Sequence, residues 1–247
     1  MLKLVQKLAQ DGVRISRIAE MSLPEMEEEC RLISLKHIDY EGRLQQGLID
    51  MDVTAIDSVL ESSIRHQGFE SSLRNLIIPF LEKMELMWLS GQIGEAEEAC
   101  FREIIRRKTT REIDTMPHNC DGPRVIMFLP VGNHQETNHL FMHYYLRRQG
   151  FCVTDLGCDI NLECATAALK KCNAECVLVV NSDPVHWQFS SFVRELAKQT
   201  DLPIIVAGKA SNKEWINENE QVIVLNDMEE TIRFVSKLEE NIKNYMS

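Results

Sequence analysis

At 247 residues, 44% hydrophobic and 26% charged, the chain is long enough for one or two domains with real cores. A formal net charge of −11 argues against nucleic-acid binding through the bulk surface, because phosphate contact needs an excess of Lys and Arg; a small basic patch stays open. No apolar run reaches the length of a membrane span and the N-terminus lacks the basic-then-apolar pattern of a signal peptide, so a cytoplasmic protein with no membrane partner is expected. The eight cysteines include no CxxC pair, which favours reduced thiols over disulfides or a zinc cage.

In chain order, Met1–Cys30 reads as two short helices and the start of a third, broken at Gly12. Ser22-Leu23-Pro24-Glu25 has the spacing of a capping box. Arg31–Asp114 reads as helical throughout. Leu32, Ile33, Leu35, Ile38, Leu44 and Leu48 fit one amphipathic helix. Asp52 is a natural N-cap for a stripe of Val53, Ile56, Val59, Leu60 and Ile64, and Gly68 stands just past that helix. A third helix carries Leu73, Leu76, Ile77, Phe80, Leu81, Met84, Met87 and Trp88, with Pro79 expected to kink or restart it. After the Ser90-Gly91 turn, a fourth runs from about Gly94 to Asp114 with Ala96, Ala99, Cys100, Ile104 and Ile105 inward. Four such helices with short connections predict a bundle.

Met116–Pro123 is rich in turn formers and marks a domain boundary. From Arg124 onward, short apolar strands alternate with helices. The strands are Arg124–Val131, Phe151–Leu156, Ala174–Asn181, Pro203–Ala207 and Val222–Leu225. Helices are predicted near His139–Arg148, Leu162–Lys171, Gln188–Gln199, Asn212–Asn217 and Met228–Tyr245. That alternation predicts a five-stranded parallel, Rossmann-like (flavodoxin-like) sheet with helices on both faces. In such a sheet ligands are met at the carboxyl ends of the strands, here at the loop Val131–Asn138. The expected layout is therefore α + α/β, with segments 1–30, 31–115 and 124–247.

Gly-Val-Arg-Ile-Ser-Arg-Ile-Ala-Glu-Met-Ser-Leu-Pro-Glu-Met resembles the last helices of a MerR-type DNA-binding domain, whose helix-turn-helix would precede it; a plain helical extension is the other reading. Pro79, Trp88, Gly91, Ile93, Ala96 and Glu98 match a P…W..G.I..A.E pattern, and Leu146-Arg147-Arg148, Gly150 and Leu156-Gly157 match a helix end and second strand. Together these resemble the cobalamin-dependent MerR-family photoreceptor regulators, and also the cobalamin modules of methionine synthase and corrinoid methyltransferases. The resemblance covers essentially the whole chain. It implies a B12-binding-type α/β domain behind a helical cap, a homo-oligomer, and DNA contact only through the N-terminal helix-turn-helix.

In that family an Asp/Glu-x-His-x-x-Gly loop supplies the lower axial ligand of cobalt. Here Asn133, Gln135 and Asn138 fall at those positions; a one-residue shift brings His134 to the ligand position, beside Gly132 and Thr137. A Gln amide is a poor ligand for a metal that prefers imidazole nitrogen. The family's Ser-x-Leu survives in part as Ser182-Asp183-Pro184, and its Gly-Gly as Ala207-Gly208. Its light sensors cover the upper cobalt face with a Trp and a Glu-His pair; Trp88 and Glu98 match, but Ala99 stands in place of His. Both implied axial imidazoles, at Gln135 and Ala99, are therefore missing.

Each such residue also has a bland reading. Trp88 suits a bundle core, Glu98 a solvated acidic face, and Gly132 and Gly157 ordinary turns, since no GxGxxG or Walker pattern accompanies them. His139 and His143, one turn apart without a catalytic Glu or third ligand, suit a surface. Cys158 suits a structural thiol. No nucleophile elbow, HExxH or paired carboxylate motif supports catalysis. The expected function is the ligand-sensing and oligomerisation region of a MerR-like regulator, not an enzyme, on a scaffold where cobalamin would bind without protein imidazole or be replaced by another ligand. The alternatives are a sensor that binds cobalamin with its own base as lower ligand, and a corrinoid methyl carrier for a methyltransferase. The expected ligand-facing residues are Trp88, Glu98, Asn133, His134, Gln135, Asn138, Ser182 and Gly208.

Overall fold

Runs such as Cys-Val-Leu-Val-Val and Ile-Ile-Val-Ala have no polar alternation, as expected of strands buried on both faces. The computed structural model describes residues 5, 17–18, 21–28, 39–117, 122–133, 136–181, 187–208, 221–225, 228–235 and 237. It places these runs in a five-stranded sheet of order β2-β1-β3-β4-β5. The strands are β1 (Arg124–Phe128), β2 (Cys152–Asp155), β3 (Cys176–Val180), β4 (Ile204–Ala207) and β5 (Val222–Leu225), and every pairing is parallel. Every residue of β3 and β4 is buried. The chain divides into two compact units, Met1–Ile104 and Ile105–Ser247.

The first unit is built from α1 (Tyr40–Ile49), α2 (Val53–Gln67), α3 (Phe69–Ser72), α4 (Ile78–Leu89) and the start of α5 (Glu95–Asp114). Asp39 caps α1 by accepting from Gly42 N at 2.7 Å, and Asp52 caps α2 by accepting from Ala55 N at 2.9 Å. Each satisfies an amide that the first helical turn leaves without a partner. Gly68, at φ +81°, ends α2 and donates to Ile64 O. Between α3 and α4 the helix continues as a π-turn, Leu73–Ile77, directly before Pro79. The wider turn accommodates the residue that cannot donate, and a new α-helical run starts at Ile78 with Pro79 in its first turn, the expected restart. Ser22 N donates to Glu25 Oε2 at 2.6 Å, the return half of the expected capping box.

Ile56, Val59, Leu60, Leu73, Ile77, Phe80, Met84 and Met87 are buried as their spacing predicts. Three expectations are corrected. Trp88 is 50% exposed and so lies outside the core. Ala96 and Ala99 are exposed. The inward side of α5 is instead carried by Phe101, Ile104 and Ile105, and Phe101 packs on Phe80 with ring centroids 5.0 Å apart. A methyl offers little area to bury, whereas a phenyl ring dominates its turn.

In the second unit, α6 (Glu136–Arg148) follows β1, α7 (Leu162–Leu169) follows β2 and α8 (Trp187–Ala197) follows β3, while α9 (Met228–Val235) follows β5. Helix α7 packs beside α8, and α6 beside α9. Right-handed crossovers in this strand order put the first pair on one face and the second on the other. The core on the α7–α8 face joins Ile126, Phe128, Val177, Val179, Val193 and Leu196. Cys152 is disulfide-bonded, which corrects the expectation of wholly reduced cysteines; Cys100, Cys158, Cys164, Cys172 and Cys176 are free thiols. The absence of CxxC excludes only a local pair, not one made by the fold. The predicted helix at Asn212–Asn217 and most of Met1–Cys30 lie outside the described residues. Among the described residues no helix is long and apolar enough to cross a membrane.

Candidate functional site

In this strand order the chain leaves β1 towards one edge of the sheet and β3 towards the other, so a crevice opens at their carboxyl ends. A cavity of about 290 Å³ lies there. Its strand-side wall is Pro130, Val131 and Asn133 after β1 and Asn181 after β3. The turn Pro130–Asn133 closes with Asn133 N donating to Pro130 O at 3.0 Å. Gly132 sits at its third position with φ +82°, the conformation such a turn requires there. Gly157 likewise has φ +77°, so both glycines are turn formers, as their context predicts.

Asn133 is 6% exposed, and its Nδ2 donates to Val180 O at 2.8 Å. The side chain thus ties the β1 loop to the end of β3. Asn133→Ala is expected to cost about 1–3 kcal/mol in urea unfolding, since it removes a buried donor from a carbonyl; a loss within error would sink that role. Gly208, at φ +118°, meets the same strand end. A Cβ built there overlaps the carbonyl of Asn181. Of the expected ligand-facing residues, Asn133 and Gly208 therefore converge on β3. Asn138 is half-buried in the first turn of α6. His134, Gln135 and Ser182 lie outside the described residues. Trp88 and Glu98 belong to the first unit, where Glu98 Oε1 pairs with Arg102 at 2.8 Å one turn on.

The other polar cluster of this unit joins α6 to β2. His139 Nε2 meets Asp155 Oδ1 at 2.7 Å, His143 Nδ1 meets Oδ2 at 2.9 Å, and Gly157 N donates to Oδ1 at 2.8 Å. His139 is 5% exposed, and its Nδ1 is buried with no hydrogen-bond partner. The expectation of surface histidines is corrected: both rings hold one carboxylate. Burial alone raises the Asp155 pKa, but hydrogen bonds from His139 and His143, the charge of His139 and the Gly157 amide hold it well below the usual carboxylate range. Among the described residues no group of three or more His, Cys, Asp or Glu could hold a metal ion. Cys158 is exposed, and partial burial together with Glu136 and Asp159 raises its pKa, the opposite of a reactive thiol.

These elements define the class of fold used by corrinoid proteins, an all-parallel five-stranded α/β sheet preceded by helices. The Methanosarcina barkeri monomethylamine corrinoid protein is similar at TM-score 0.59 and 14% identity, over 79% of this chain and 96% of that one. The methanol:cobalamin methyltransferase complex MtaBC of the same organism gives TM-score 0.44 at 13% identity, over 95% of this chain and 91% of that one, too distant to add to the comparison. In sequence, 104 residues, or 42% of the chain, are 26% identical to the HTH-type transcriptional repressor CarA of Myxococcus xanthus. The chain spans 34% of the length of that relative. No protein-family model matches.

A corrinoid held by a protein imidazole needs a histidine free to reach cobalt. Among the described residues of the α/β unit, His139 and His143 are both turned onto Asp155; Ala99, in the first unit, presents only a methyl. These two rings are therefore not placed to ligate cobalt; His134 lies outside the described residues.

Proposed function

We propose that this chain is the ligand-sensing and oligomerisation region of a MerR-like transcription regulator, on a corrinoid-type scaffold that has lost cobalt ligation by histidine. The fold and the stretch similar to a transcriptional repressor support the scaffold and the regulatory role. The observation that carries the loss is Gln135 and Ala99 at the positions where the resemblance places the two axial imidazoles; His139 and His143 do not replace them, being committed to Asp155. Ligand binding would bias an oligomeric state, and that state would set the DNA affinity of a helix-turn-helix on the N-terminal side. Trp88, Glu98, Asn138 and the loop residues His134 and Gln135 are the positions proposed to face the ligand; no catalytic role is assigned.

The test is an absorption spectrum after incubation in the dark with adenosylcobalamin or hydroxocobalamin, followed by desalting. The expected result is a colourless protein, or a corrinoid that keeps its own base as lower ligand. A bound corrinoid with imidazole-ligated bands that vanish in His134→Ala would overturn the proposal. Gln135→His combined with Ala99→His is expected to raise corrinoid retention.

A further inference from the structure

Cys152 opens β2, the edge strand of the sheet, and is disulfide-bonded. Of the eight cysteines, Cys100, Cys158, Cys164, Cys172 and Cys176 are free thiols. That leaves Cys30 and Cys120, both outside the described residues, as partners for Cys152. Cys30 belongs to the first unit. Cys120 belongs to the segment that leads from α5 into β1, and described residues on either side of it are fastened beside Cys152. Arg147 Nη2, at the end of α6, donates to Pro117 O at 2.6 Å. Cys152 N donates to Pro123 O at 3.0 Å, and Gly122 lies so close to Gly150 that an added Cβ would overlap its carbonyl oxygen. Two residues of chain span at most about 7 Å. Cys120 is thus tethered within reach of the roughly 4.4–6.8 Å between Cα atoms that a disulfide requires.

The bond also stands where a small thiol can meet it. Strand β2 has a neighbour on one side only, and Cys152 is half-buried. Cys176, on the central strand β3, is fully buried, and burial pushes its thiol up to about 12. Exchange needs access to a sulfur as well as a thiolate, so chemistry is open at the edge of the sheet and closed at its centre.

We infer that Cys120 and Cys152 form a reversible dithiol–disulfide site that fastens the α5–β1 connection to the edge strand. This redox role goes beyond the regulator reading and holds with or without a corrinoid. The oxidant is a small-molecule disulfide of the glutathione kind. One cysteine thiolate attacks it, forms a mixed disulfide and releases one thiol. The second cysteine attacks the protein sulfur of that mixed disulfide and releases the other thiol. Two electrons leave the protein, and its two thiol protons end on the two released thiols. The closed loop contains β1 and α6, so opening it by reduction should lower the melting temperature by about 5–10 °C.

The test is peptide mapping of the full chain, with free thiols alkylated and no reductant present. Trypsin should yield the Glu112–Arg124 peptide joined to the Gln149–Lys170 peptide, with fragment ions placing the bond at Cys120 and Cys152. Reduced glutathione, added without denaturant, should make both cysteines available to alkylation and bring the melt down. Cys120→Ser and Cys152→Ser should each melt like the reduced wild type and lose the response to reductant, while Cys30→Ser keeps both the link and the response. Cys152 joined to the Ile18–Arg31 peptide, or found as a free thiol in the oxidised chain, overturns the inference. So does a link that opens only after unfolding, or a reductant shift as large in Cys152→Ser as in the wild type. The mapping and the reduction of the wild type decide the matter even where a variant fails to fold.

Discussion

Gly208→Ala is expected to destabilise the α/β unit by about 3–5 kcal/mol, because backbone strain and overpacking act at the same atom. The residue has φ +118°, where a side chain is strained whatever the space around it. Space is also lacking, since the new methyl overlaps the Asn181 carbonyl carbon and oxygen. Neither backbone can retreat easily. Gly208 N donates to Leu225 O at 2.7 Å, and Asn181 N donates to Ala207 O at 2.8 Å, so retreat breaks the ladder at the carboxyl end of the sheet. Gly157→Ala is the control: its φ is +77°, but nothing lies within 4 Å of the added carbon. It should carry strain alone, about 1 kcal/mol. Urea unfolding followed by circular dichroism reads both. Equal losses at the two positions would show that the contact with Asn181 is unimportant.

That result also bears on how Gly208 is read in sequence. By resemblance it is the surviving half of a glycine pair that lets a ligand lie close. In the fold its bareness is already required by the protein's own backbone. A glycine records that something approaches, not what approaches.

The sheet was legible for a physical reason: central parallel strands are buried on both faces, so Val-Leu-Val-Val and Ile-Ile-Val-Ala stand out without alternation. The helix ends at Asp52 and Gly68 were legible because capping is local chemistry. Less visible were features made by contacts between elements. His139 and His143 look like a surface pair until β2 brings Asp155 to them across the strand–helix packing. Ala96 and Ala99 fit a helical stripe but are exposed, while Phe101, three and four residues before Ile104 and Ile105, has the same spacing and is fully buried. The cavity left fainter traces: Asn181 is a polar residue closing an apolar run, and Phe189 and Phe192 stand three apart on a helix. Neither trace says that the two walls meet.

Asp155→Asn should cost about 2–4 kcal/mol at neutral pH, with the amide keeping the volume and losing the charge. The carboxylate accepts from both imidazoles and from Gly157 N, so the amide replaces one acceptor oxygen by a donor that faces another donor. With the side chain only 21% exposed, water cannot fully make good the loss. The pH dependence follows from the depressed pKa of Asp155. A carboxyl whose folded pKa lies below its unfolded value of about 3.9 contributes stability that is present above that unfolded value. The contribution is lost as pH falls through the folded value. The gap between wild type and Asp155→Asn should therefore hold at pH 5 and narrow below about pH 4. Urea midpoints measured at neutral pH, pH 5 and pH 3 check this. A gap that is unchanged at pH 3 would mean that Asp155 acts through shape and not through its charge.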